Sequence, residues 1–272
     1  MIIWGSAVLV VSVAVTITEQ SPLPAHSLAG KRALVTGSSR GIGADTVSLL
    51  AAAGASVVVN FRNKENRALK LVTAIEANGG TAIAIGADLT DSTSRSALFA
   101  TIAKQWGSLD ILVMNASGGM EAGMAADYAM QLNRDAQRDL LEEALVLLAP
   151  GSRVVFVTSH QAHFIQTVET MAEYLPVALS KRAGEDALRE MIPRLTELGI
   201  EFVVVSGDMI EGTITATLLE RANPGAIGAR KEAAGRLYNV AEFAGEIALA
   251  VVEPVPSNHT RYVGDVSDFT GV

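Results

Sequence analysis

Ala33-Leu34-Val35-Thr36-Gly37-Ser38-Ser39-Arg40-Gly41-Ile42-Gly43 is the stretch whose reading decides the fold. A short apolar run enters three glycines spaced G-x-x-x-G-x-G, and a helical pattern from Gly43 to Ala53 follows. Glycines in such a turn let the main chain approach a pyrophosphate closely. The helix behind them offers unpaired N–H groups and the positive end of its dipole to the anion. A bare strand-to-helix turn would show the same glycines. The context, at the head of a βαβ series, makes dinucleotide binding the reading here, with Gly37, Ser39, Arg40, Gly41, Ile42 and Gly43 as the phosphate cradle.

Outward from this turn, short β-branched runs alternate with longer helical patterns, the signature of βαβ units around a parallel sheet. Strands are expected at Arg32–Thr36, Ser56–Asn60, Thr81–Gly86, Asp110–Met114, Arg153–Thr158, Glu201–Ser206 and, last and short, Arg261–Val263. Helices Gly43–Ala53 and Lys64–Asn78 each run into a glycine suited to a C-terminal cap, Gly54 and Gly79. The expected fold is α/β: a single Rossmann-type, doubly wound domain over residues 28–272, with a seven-stranded, mainly parallel sheet and helices on both faces. Residues 207–240 carry glycines, one proline and no clear period, and are expected to form an irregular substrate lid.

The 272 residues suffice for one large domain, and 49% hydrophobic content suits a sheet buried on both faces. A net charge of −8 argues against nucleic acid, whose binding rests on Lys and Arg. Zero cysteines exclude disulfides and thiolate chemistry, and four scattered histidines give no metal signature. The apolar run over residues 1–17 lacks the basic residue of a secretory signal and falls short of the roughly 20 residues of a membrane span. A start placed too far upstream, a signal and an anchor all stand as readings of residues 1–27. The expected location is cytoplasmic, or membrane-associated if the run is a real anchor.

An acidic residue ending the second strand would accept from the ribose 2′-OH of NAD, whereas arginine there suits the 2′-phosphate of NADP. Here the strand ends Val59-Asn60-Phe61-Arg62, with no acid. Asn60 and Arg62, with Arg40 from the glycine turn, therefore favour NADP(H): two guanidinium forks can converge on one dianion.

On these residues the chain resembles the short-chain dehydrogenase/reductase family, whose TGxxxGIG turn is matched at every fixed position, and the resemblance runs from Leu28 to Val272. It implies that Asp88-Leu89 lie beside the adenine and that Asn115-Ala116 stand where the family has NNAG, here Met114-Asn115-Ala116-Ser117. It also implies that the main chain of Ile210 meets the nicotinamide carboxamide and that Thr213 reaches a cofactor phosphate. A homodimer or homotetramer is implied as well, through the helices beginning near Asn133 and Pro176.

For catalysis the family uses a proton-donating tyrosine, a lysine four residues later that keeps it acidic and grips the nicotinamide ribose, a serine that orients the carbonyl, and an asparagine that supports a water relay. Ser159 follows the fifth strand, Lys181 lies in Ser180-Lys181-Arg182-Ala183-Gly184, and Asn133 begins a helix expected over Asn133–Leu148. Four residues before Lys181 stands Val177, so YxxxK is absent. Tyr174 precedes Lys181 by seven residues, two helical turns, which returns it to about the same face. Pro176 suits a helix start and would leave Tyr174 on an incoming loop that aims it inward. Tyr174 reads either as the relocated donor or as a half-buried packing aromatic; His160 and His163 are reserve donors.

Three functions follow. One is an NADPH-dependent oxidoreductase interconverting a carbonyl and an alcohol on a small organic molecule through Ser159, Tyr174 and Lys181. Another is an NADP(H)-binding protein without turnover, whose catalysis was lost with the tyrosine at position 177. The third retains turnover but takes the proton from solvent or substrate.

Overall fold

The computed structural model of the chain describes residues 21–121 and 123–271. Seven strands, β1 (Arg32–Val35), β2 (Ser56–Phe61), β3 (Thr81–Gly86), β4 (Leu109–Met114), β5 (Leu148–Ser159), β6 (Glu201–Gly207) and β7 (Thr260–Val263), form one sheet in the order β3-β2-β1-β4-β5-β6-β7. Every pairing is parallel, β7 included, so the sheet is wholly rather than mainly parallel. The winding direction reverses between β1 and β4, and the crevice at the carboxyl ends of those two strands is where open α/β sheets bind ligands.

The strands alternate between two cores. Ala33 and Val35, Val57 and Val59, and Ile111 and Val113 share one apolar cluster, while Leu34, Val58, Leu112 and Met114 belong to the other. Both faces of the sheet are therefore buried, and helices must cover both. These are α1 (Gly41–Ala52), α2 (Glu65–Ala77), α3 (Ser92–Trp106), α4 (Tyr128–Met130), which runs through a π-helical turn at Gln131–Asp135 into α5 (Ala136–Ala144), α6 (His160–His163) and α7 (Leu175–Arg189). They continue as α8 (Ile192–Glu197), α9 (Ile214–Ala222), α10 (Ala226–Ala234), α11 (Val240–Val252) and α12 (Ser267–Thr270). Gly54 and Gly79, just past α1 and α2, hold φ of +96° and +81°, the left-handed conformation expected of C-terminal glycines.

Three expectations need correction. The lid over residues 207–240 is largely two helices, α9 and α10, rather than irregular chain: Thr213 caps the first by accepting from the Ala216 N–H at 3.1 Å, and Gly225 opens the second at φ +94°. The helix expected over Asn133–Leu148 begins earlier, at Tyr128, and ends at Ala144; Leu148 already pairs with Leu109 in the sheet. Helix α7 starts at Leu175, with Pro176 in its first turn and Tyr174 as its N-cap rather than on a free loop, since the Ala178 N–H donates to the Tyr174 carbonyl at 2.8 Å. Toward the amino end, Leu23 is buried in the same core as Leu28, so chain before residue 28 packs onto the domain. The apolar run at 1–17 lies outside the described residues, among which no helix is long and apolar enough to cross a membrane.

Candidate active site

The glycine turn, the ends of β2 to β6 and the lid enclose a cleft of about 660 Å³. Local packing dictates the glycines. Gly37 and Gly41 have φ of +63° and +56°, and a Cβ on Gly43 would stand 2.6 Å from the Asn115 amide nitrogen and 2.8 Å from the Gly37 carbonyl. The turn is stiffened from below. Thr36 Oγ1 accepts from the N–H groups of Asn115 (2.9 Å) and Ala116 (3.0 Å), and Asn115 Nδ2 donates to the Thr36 carbonyl at 3.0 Å. Asn60 accepts from the Gly37 N–H at 3.1 Å and donates to the Ile85 carbonyl at 3.2 Å, so the two ends of its side-chain amide tie the turn to β3. No side chain caps the first turn of α1, which leaves its N–H groups open to the cleft.

At the far end of the cleft stand four cations: Arg40, Arg62, Lys64 and Arg67. Arg62 donates to the Tyr128 hydroxyl, and its guanidinium carbon lies 5.6 Å from the centre of that ring. Lys64 and Arg67 escaped the sequence reading, although Arg62-Asn63-Lys64 and Arg67 form a visible basic run into α2. Asp88 and Leu89 line the same end; the Asp88 carboxylate holds Thr90 through its N–H (2.9 Å) and hydroxyl (2.7 Å), which fixes the loop after β3. The cradle therefore fits a dinucleotide: close main-chain approach that a Cβ would block, an uncapped helix N-terminus, and a cationic rim.

At the opposite end, Ser159 Oγ and Tyr174 Oη are 3.0 Å apart. Ser159 closes β5 and caps α6, its Oγ accepting from the Ala162 N–H at 3.3 Å. Tyr174 is only 5% exposed, so it packs against Val177, Ala178, Met209 and Leu219 and also presents its hydroxyl to the serine. The packing reading describes its ring, while its hydroxyl stands beside Ser159. Val177, where the family's tyrosine would stand, is buried under the lid. Lys181 lines the cleft two turns along α7, nine-tenths buried, with no acceptor for its ammonium among the described residues.

Asn133 is not brought into the cleft. It sits in the π-helical turn, where its Nδ2 donates to the Gly118 carbonyl (2.8 Å) and Ser180 Oγ (2.9 Å) and its Oδ1 accepts from the Gly118 N–H (3.2 Å). It ties the loop after β4 to the residue beside Lys181. Neither histidine faces the cleft. His160 is fully buried, Nδ1 at 2.8 Å from Ser206 Oγ and ringed by Phe164, Tyr262 and Phe269; burial lowers its pKa to about 4. His163 pairs with Glu185 at 2.8 Å.

Ile210 and Thr213 both line the cleft. The Thr213 hydroxyl donates to the Ile210 carbonyl at 2.9 Å while capping α9, so its first duty is to shape the start of the lid. Sequence reasoning missed Gln161, Asp208 and Met209, which complete this end. Asp208 is buried and ion-paired with Arg230 of α10 at 2.8 Å; burial raises its carboxyl pKa and the guanidinium opposes that shift. No local pattern joins residues 161, 208 and 230, which meet only in the fold.

Residues 31–223 match the family described as short chain dehydrogenase, and the chain belongs to that family. It is 39% identical over 152 residues to a hydroxynaphthalene reductase-like protein of Metarhizium brunneum, covering 54% of this chain and 56% of that protein. It is 40% identical over 144 residues to elsinochrome reductase 1 of Elsinoe fawcettii, covering 50% and 54%. The match thus spans about half the length of these curated relatives. A short chain dehydrogenase from Burkholderia cenocepacia, solved in complex with NADP, superposes with a TM-score of 0.73 at 28% identity over 87% of this chain and 97% of that one. The angucycline C-6 ketoreductase LanV, solved with bound NADP, superposes with a TM-score of 0.68 at 27% identity over 85% and 92%.

Proposed function

We propose that the chain is an NADPH-dependent reductase, or in reverse a dehydrogenase, that interconverts a ketone and a secondary alcohol. The observation that carries this reading is the 3.0 Å contact between Ser159 Oγ and Tyr174 Oη, in the same cleft as the glycine cradle and Lys181. When bound, the nicotinamide supplies hydride to the carbonyl carbon. The protein's own part is to hold the carbonyl oxygen and deliver a proton to it. Ser159 Oγ and Tyr174 Oη form the two donors for that oxygen. As the carbon–oxygen double bond becomes a single bond, the Tyr174 proton moves to the oxygen and leaves a phenolate beside Ser159. The buried, unpaired Lys181 ammonium also needs acceptors, which ribose hydroxyls would provide. Asn133 acts behind these groups, fixing the Gly118 loop and Ser180. On this reading the cofactor-binding set is Gly37 to Gly43 with Arg62, Asp88, Leu89, Ile210 and Thr213, while Asn60, Asn115 and Ala116 give the cradle its shape.

NADPH is favoured over NADH by Arg40, Arg62, Lys64 and Arg67 around the end where a 2′-phosphate would lie, and by the absence of an acid at the end of β2. The apolar wall of Met209, Ala216 and Leu219 favours a flat aromatic ketone, in keeping with the names of the reductases and ketoreductase above. The test is NADPH oxidation by purified protein across a panel of aromatic ketones and quinones, with NADPH and NADH affinities measured alongside. Turnover with a preference for NADPH supports the reading. Tight binding of NADPH with no oxidation by any ketone would point instead to the protein without turnover.

A further inference from the structure

Gln161 occupies the cleft wall two residues beyond Ser159. Its Nε2 donates to Asp208 Oδ1 at 3.2 Å. The same carboxylate oxygen accepts from the Met209 N–H (2.7 Å) and from Arg230 Nε (3.0 Å), and Oδ2 accepts from Arg230 Nε at 2.8 Å. A carboxylate held against a guanidinium is an acceptor only. It therefore fixes which way round the neighbouring amide stands: the NH2 of Gln161 must face Asp208. With the NH2 turned to Asp208, the Gln161 carbonyl oxygen is the amide atom left for another partner; Gln161 lines the cleft, and no described residue donates to that oxygen. A primary amide set this way is no longer an adaptable donor-or-acceptor; it is a fixed acceptor.

We infer that Gln161 is a substrate-orienting residue, whose carbonyl oxygen accepts a hydrogen bond from a hydroxyl group on the ketone substrate, with Asp208 and the lid residue Arg230 setting its orientation. The inference rests on the carbonyl-reductase reading of the cleft and narrows its substrate class to hydroxylated ketones with a free O–H. A ketone bearing an ether or a bare C–H at that place cannot donate to the acceptor, which is the less favourable outcome. Arg230 is a positioning residue: it belongs to α10, so the amide is held to the lid as well as to the sheet.

The experiment is isothermal titration of the 5-, 6- and 7-hydroxy-1-tetralones, and of their methyl ethers, into the protein saturated with NADP+. Binding is read whether or not turnover occurs, so failure of this inference is separable from failure of the reductase reading. The wild-type chain should bind one free phenol about tenfold more tightly than its methyl ether. In Gln161→Leu, close in volume but unable to accept, that ratio should fall toward one while NADP+ affinity stays unchanged. Equal binding of all phenols and ethers by the wild type overturns the inference, and so does a preference that survives in Gln161→Leu or the lack of saturable binding by any phenol. The wild-type comparison needs no variant to fold. A retained phenol preference without NADPH oxidation would sustain the role of Gln161 and sink the reductase.

Discussion

Removing one oxygen atom separates the two ends of Tyr174. In Tyr174→Phe the ring keeps its contacts with Val177, Ala178, Met209 and Leu219, since the residue is 5% exposed and packed by its carbon atoms. Ser159 loses its partner at 3.0 Å but still caps α6 through the Ala162 N–H at 3.3 Å. The fold should therefore lose only about 1 kcal/mol, the net worth of a typical hydrogen bond. Affinity for NADPH should hardly change, because the glycine turn and the cationic rim are untouched. The chemical step should slow by about 10²- to 10⁴-fold, the usual contribution of a positioned general acid. Three measurements decide it: the urea midpoint, the NADPH dissociation constant, and single-turnover oxidation of bound NADPH by the best ketone of the panel. Adding Val177→Tyr to Tyr174→Phe should not restore the rate, because position 177 is closed under the lid. A Tyr174→Phe enzyme that retains its rate within about threefold would refute the donor role and give the proton to solvent or substrate.

Arg62→Asp should weaken NADPH by about 10- to 100-fold and leave NADH nearly unchanged, since a charge-assisted contact to the 2′-phosphate is lost and a like charge added; equal discrimination in fluorescence titrations of both nucleotides would sink the NADP(H) assignment. Gly184→Ala should lower the urea midpoint by the equivalent of about 1–3 kcal/mol or more, because its Cβ would fall 1.9 Å from the Asn133 carbonyl oxygen and push α7 off the helix it packs against; an unchanged midpoint would contradict this close approach. His160 is buried neutral with its pKa lowered from 6.5 to about 4. The unfolded chain takes up the proton below pH 6.5 and the folded one only near 4, so stability is present above pH 6.5 and falls by up to about 3 kcal/mol as pH drops to 4. Against pH, urea midpoints of His160→Phe should show a shallower slope between pH 6.5 and 4.5, and identical slopes would contradict the burial argument.

Where the cleft is lined by a continuous stretch, that stretch was legible in the sequence. The glycine turn and the strand pattern announce the crevice between β1 and β4, because apolar runs and glycine spacings are local consequences of burial and positive φ. The place of Arg62 on the cleft wall was legible for the same reason, since it follows the end of β2. What could not be read depends on partners distant in the chain. The helical lid was missed because α10 has no buried residue of its own and so no apolar stripe to give a period; it is held by Arg230 to Asp208 and Asp268, by Lys231 to Glu211, and by Glu220 accepting from Gly225 and Ile227. Asn133 was read as a site residue from its place in a motif, whereas its contacts are with Gly118 and Ser180. His160 and His163 looked available beside Ser159, but the turn into α6 directs them at an aromatic cluster and at Glu185.

On the proposed reading, a donor at 174 rather than at 177 alters how the catalytic groups divide their work. On an α-helix, a residue four positions away is displaced by about 40° around the axis and about 6 Å along it; at seven positions the figures are about 20° and about 10 Å. Moving the donor from 177 to 174 thus improves its angular alignment with Lys181 and lengthens the axial separation by about 4.5 Å. No hydrogen bond joins Tyr174 to Lys181. Ser159 is different: it belongs to the sheet, and the N-cap position of Tyr174 carries the hydroxyl to within 3.0 Å of it. On the proposed reading, the unit that fixes the donor is therefore the serine–tyrosine pair across two elements rather than a tyrosine–lysine pair on one helix, and the proposed part of Lys181 is chiefly to hold the cofactor.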